Sequence, residues 1–203
     1  MTTFVPTFKE KNMAPTDQEK ERKVKMNALL TDLKSGEEKK VAKSLKGLQV
    51  HGDDQAILPI IEVWSAGVSP RTENAIITFI GDIKSSSSAD IIMEILLDNT
   101  FKNIHLPLLT TIWNSKVDYS EYLVDFVTLA IPHDFMVTLE CLTIIENMDG
   151  PFPEHHFLDA EIILREYAEK HQKNAVEDDK KLKLIGELRT VLKNMEQQNV
   201  DLL

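Results

Sequence analysis

The side chains of this 203-residue chain that could do chemistry fall into three groups. His155 and Asp159 stand four residues apart, with His156 between them. On a helix that spacing puts an imidazole and a carboxylate on one face, which is how a metal site begins. Two ligands do not close such a site, and no Glu-flanked paired-histidine motif supplies more. A solvated helix start is expected there, and neither a metal nor a cofactor. His133 and Asp134 follow Pro132. They could pair as imidazole and carboxylate, but no nucleophile stands beside them, and Asp134 suits the positive end of a helix dipole. Cys141, the one cysteine, lies in the apolar run 139–145. A buried, unreactive thiol is expected. One cysteine excludes a disulfide framework and a cysteine-based zinc cluster. The chain has no phosphate-binding glycine loop, no Gly-x-Ser-x-Gly and no dinucleotide fingerprint. Gly81 and Asp82 read as a helix end. No catalytic, metal-binding or cofactor-binding residue is assigned.

The third group is acidic. The net charge of −10 is uneven. Residues 1–50 carry eleven Lys and Arg against seven Asp and Glu, a balance of +4. Residues 51–150 carry four against fifteen, or −11, and residues 151–203 eight against eleven, or −3. Segments 53–67, 87–98 and 118–130 contain no Lys or Arg. Some of their acids fall in first turns, where they cap the helix and complement its dipole. Glu62, Glu94, Asp98, Glu121 and Asp125 are not explained that way. They form either a solvated face or a contact for a partner protein with a basic surface. An acidic middle repels phosphate backbones, so nucleic acid is not expected. Lys39, Lys40, Lys43 and Lys46 read as a solvated helix face, with an anionic partner as the alternative.

These residues need elements to position them, and the pattern is helical throughout. Only seven glycines and eight prolines occur in the whole chain, too few for a fold of many tight turns. Residues 1–16 read as a flexible arm. Residues 17–171 read as a helical-repeat domain, and 177–203 as a C-terminal helix. Helices are expected from Thr16 or Asp17, from Glu37, from Asp53, and from Pro70 with Ser69 as cap. Further helices are expected after the serines 85–88, from Thr100, from Asp118, from Pro132, from Pro153 and near 177. Pro59 and Pro107 fall inside two of these spans and are expected to kink them. The last helix carries Ile185, Leu188, Leu192, Met195, Asn199 and Leu202 at heptad spacing. That stripe suits capping of the domain or formation of a homodimer.

First-helix starts near 53, 87, 118 and 154, and second-helix starts near 70, 100 and 133, recur at a period of roughly 30–40 residues, as in helical repeats. At Ile57, Leu58, Pro59, Ile60 and Ile61, followed by Arg71, Ala75 and the run Ile80, Gly81, Asp82, Ile83, the chain resembles a HEAT-type repeat. The resemblance is clear over 53–84. It is partial over 87–115, where Asp98 and Lys102 fit but no glycine ends the second helix. Over 118–149 only the hydrophobic pattern remains. It implies an all-α solenoid of stacked antiparallel helix pairs, capped at both ends, with second helices lining a concave side. It implies a non-enzymatic scaffold or adaptor for protein–protein interaction. HEAT-like repeats also occur in DNA glycosylases acting on alkylated bases and in chromophore lyases, which is the alternative. The first ten residues have no secretory pattern and no apolar run is long enough for a bilayer, so the cytoplasm is the expected location.

Overall fold

The computed structural model describes residues 17–51, 54–115, 117–171 and 180–200. The expected arm 1–16 and the start of the last segment, 177–179, lie outside the described residues. Among those described, all regular structure is helical. The helices are α1 (Asp17–Leu33), α2 (Glu38–His51), α3 (Ile57–Ser65), α4 (Pro70–Gly81) and α5 (Ser87–Leu97), then α6 (His105–Ile112), α7 (Leu123–Ala130), α8 (Phe135–Glu146), α9 (Glu154–His171) and α10 (Lys180–Val200). Short 3₁₀ turns at Asp54–Ala56, Asn99–Ile104 and Ser120–Tyr122 lead directly into α3, α6 and α7.

Those 3₁₀ turns correct three expected boundaries. The helices expected from 53, 100 and 118 each begin as a tight turn and become α-helical later. Pro59 and Pro107 thereby become the third residues of α3 and α6. The first turn of an α-helix leaves its N–H groups without intrahelical acceptors. A missing N–H costs little there, so neither proline occupies the interior position at which a kink was expected. Pro132 does not start α8 either. Asp134 is the cap, its Oδ1 accepting from the N–H of Val137 at 3.1 Å. At α4 the expected arrangement holds. Ser69 caps, Pro70 is the first helical residue, and the Thr72 N–H donates to Ser69 Oγ at 3.3 Å. Gly36 (φ +71°) and Gly67 (φ +94°) turn the chain after α1 and α3 in the left-handed region that residues with a Cβ avoid.

The serines after α4 have an unforeseen use. Ser86 precedes α5 without a side-chain capping bond. The hydroxyls of Ser85, Ser87 and Ser88 instead donate to the carboxylate of Asp54, which tethers the start of α5 to the start of α3. Those hydroxyls hold the Asp54 carboxyl below the usual carboxylate range.

One apolar cluster runs through the molecule from Met26 and Leu33 of α1 to Leu188 and Leu192 of α10. Phe126, Ile60, Ile61, Leu96 and Leu108 are completely buried within it. Each such side chain contributes about 1.5–3 kcal/mol by leaving water. Every helix packs on its sequence neighbour, on the helix two places along, or on both. α1 meets α2 and α3; α3 meets α4 and α5; α5 meets α7; and α7 meets α8 and α9. α2 meets α4, α4 meets α6, α6 meets α8, and α8 meets α10, which also packs on α9. No described helix is long and apolar enough to cross a membrane.

Candidate functional site

The histidines group differently from their order in sequence. His155 and Asp159 are exposed, while His156 is buried. Among the described residues no three His, Cys, Asp or Glu come together as a metal site. His133 does not pair with Asp134, whose carboxylate is occupied by its cap. It is buried and meets His105, with His133 Nε2 and His105 Nδ1 3.2 Å apart. The outer nitrogens are spoken for by backbone carbonyls. His133 Nδ1 donates to Leu129 O at 2.8 Å and His105 Nε2 to Asp98 O at 3.3 Å. A carbonyl only accepts, so both outer nitrogens carry their protons. A hydrogen bond between the two inner nitrogens then needs one added proton, and two would repel. Burial, the neighbouring imidazole and Lys102 push His105 below its usual value, against the pull of the carbonyls of Asp98 and Ile95. His105 escaped notice in the sequence. Its only signal is a titratable residue among the apolar neighbours Ile104, Leu106, Leu108 and Leu109.

Cys141 is fully buried in α8, and burial raises its thiol well above the ordinary value. Thiolate, the reactive form, is disfavoured there.

The five acids have different situations. Glu62 receives Lys34 Nζ at 2.8 Å, an exposed pair joining the end of α1 to α3. Asp98 caps the 3₁₀ turn Asn99–Ile104 by accepting the Thr100 N–H at 2.8 Å, and Thr100 holds its carboxyl low. Asp125 is half-buried, and desolvation raises it against the pull of His156. Glu94 and Glu121 are exposed on α5 and just before α7, without a cationic or hydrogen-bonding partner among the described residues. Two of the five therefore have work inside the chain, and two have no such partner among the described residues.

A basic surface lies across α2 and α4. The Ser69 hydroxyl donates to Glu38 Oε1 at 2.7 Å at one end, and the Gln49 amide to Asp82 Oδ2 at 3.4 Å at the other. These bonds make α2 and α4 neighbours running in the same direction. Between them is a groove of about 660 Å³. Lys39, Lys43 and Lys46 line its α2 side and Arg71 its α4 side, over a floor that includes Ala42, Leu45 and Ala75. Lys40 turns away and pairs with Glu37 at 2.6 Å, which raises the Lys40 ammonium. The spacing of Lys39, Lys43 and Lys46 was visible in sequence. Arg71, a helix away, becomes part of the same surface only through the packing of α4 on α2.

This chain matches no family model, no curated protein and no solved structure.

Proposed function

We propose that this chain is a non-enzymatic interaction scaffold, a HEAT-like α-solenoid that presents its outer helix faces to another protein. The observation that carries the proposal is the neighbour pattern. α1, α3, α5, α7 and α9 each contact the next in that series, and so do α2, α4, α6, α8 and α10. An antiparallel run within each pair agrees with two cross-helix contacts. Ser44 of α2 reaches Leu29 O of α1 at 2.5 Å, and Arg189 of α10 grips Glu161 of α9. A stack of this kind buries the faces between pairs and leaves a long outer surface free for a partner. The exposed carboxylates of Glu94 and Glu121 suit a partner with a basic surface, and they would act together with Asp125.

The glycosylase alternative asks for a basic groove with aromatic side chains on which bases stack. The α2/α4 groove is basic, but its lining is aliphatic and polar, which favours a protein partner.

The test is affinity purification with the intact chain and with a Glu94→Lys/Glu121→Lys variant. The scaffold reading expects at least one protein recovered by the wild type and depleted by the variant. Recovery of nothing above background, or of the same proteins by both, would count against it.

A further inference from the structure

The basic groove has no use in a reading built on acidic faces, and it gathers positive charge in a chain that is acidic as a whole. Lys39, Lys43, Lys46 and Arg71 are all exposed. None has a carboxylate within ion-pair distance among the described residues. The one carboxylate on the rim, Glu38, accepts from Ser69. Four cations thus face a groove beside one carboxylate, in a chain of net charge −10.

The geometry points to a docking site for an acidic amphipathic segment of another protein. Lys39, Lys43 and Lys46 follow the i, i+4, i+7 spacing of one helix face, so they span about 10 Å along α2. About two turns of a bound helix would cover that length. Carboxylates repeated at the same spacing would meet the lysines, with the one at the Lys39 end also facing Arg71, whose planar guanidinium suits a bidentate contact. The floor of Ala42, Leu45 and Ala75 is apolar and low. It admits the apolar side chains between those carboxylates, as in other helix-in-groove recognition. A nucleic acid fits less well. Its backbone would leave the groove and continue past a chain whose residues 51–150 carry fifteen acids against four bases. Long-range repulsion there opposes a polyphosphate along its length, whereas a short segment ends before meeting it.

This site rests on the scaffold reading only in taking the partner to be a protein. The test uses the full chain and a fluorescein-labelled synthetic amphipathic peptide with Glu at i, i+4 and i+7 and Leu or Ala between. A peptide with Lys in place of Glu and a single-stranded oligonucleotide serve as probes of the other occupants. Anisotropy is expected to show saturable binding of the acidic peptide, weakened by salt, with amide shifts confined to α2 and α4. The Lys43→Gln/Arg71→Gln variant changes only exposed side chains and should keep the wild-type melting temperature. Each lost contact weakens binding about threefold at the rim of an interface, so the pair should weaken it about tenfold. Equal binding of the basic peptide, unchanged affinity of the variant, shifts elsewhere, or displacement by the oligonucleotide at lower concentration would each overturn the assignment. If the peptide fails while Glu94→Lys/Glu121→Lys still loses a partner, the groove inference falls and the scaffold reading stands.

Discussion

Replacing Asn199 with Leu should loosen the C-terminal end of the molecule although it puts an apolar side chain into a buried position. Asn199 is only 3% exposed. Its Oδ1 accepts from the Phe152 N–H at 2.7 Å and its Nδ2 donates to Phe152 O at 2.9 Å. One side chain thereby serves both backbone groups of a buried residue in the loop before α9. Leucine has the same branching and the same number of heavy atoms, is somewhat larger, and serves neither. Each unsatisfied buried backbone group costs about 1–3 kcal/mol, and some of that returns if the loop frays toward water. A net loss of about 3 kcal/mol follows, equivalent to about 6–12 °C in Tm for a chain of this size. Thermal melting measures the total. Hydrogen exchange locates it, because proteins open locally and the elements that lose their contacts exchange first. Amides of α10 and of the 150–153 loop should exchange faster, while those of α3 to α6 keep their rates. An Asn199→Leu protein as stable as wild type would refute the reasoning.

The His105–His133 pair makes stability fall with acid. The unfolded chain protonates His105 near pH 6.5, whereas in the folded chain burial and the neighbouring imidazole shift His105 downward. Its contribution is full above the unfolded value and is lost as pH falls below it. Urea unfolding between pH 7.5 and 5 should show this slope, at most about 1.4 kcal/mol per pH unit for one proton, and His105→Gln should flatten it. Cys141 should resist a thiol reagent in the native protein and react at once in guanidinium. The native rate should be lower by about 10³-fold or more if exposure needs global opening. Pro59→Ala should change stability by less than about 1 kcal/mol, since Pro59 stands in a first turn; an interior proline would show an effect of about 3 kcal/mol.

Much of the helical order was legible because its punctuation is local. Ser69 and Pro70 announce α4, and Gly36 and Gly67 mark ends that a left-handed residue must make. The 3₁₀ turns before α3, α6 and α7 were not legible, because they extend an apolar pattern that a helix template also fits. Asn199 stood out as a polar residue in an apolar stripe. A register device between chains and a clamp on Phe152 have the same signature in sequence, and the hydrogen bonds of Asn199 to Phe152 came only with the structure. Ile185, Leu188 and Leu192 of that stripe are buried within the single chain. For the candidate surfaces, the acids could be counted but not apportioned. Glu62 and Asp98 meet Lys34 and Thr100, and nothing in their own segments says so. The groove was half visible, as three lysines on one helix face. Its other half depends on which helix lies alongside.

The central claim is that this chain works by holding another protein, and proximity labelling by the intact chain in its own cells tests it most directly. Wild type should label a reproducible set of proteins. The set should shrink with Glu94→Lys/Glu121→Lys, with Lys43→Gln/Arg71→Gln, or with both, at equal expression and equal Tm. A set no different from that of an unfused labelling enzyme, in wild type and variants alike, would contradict the account.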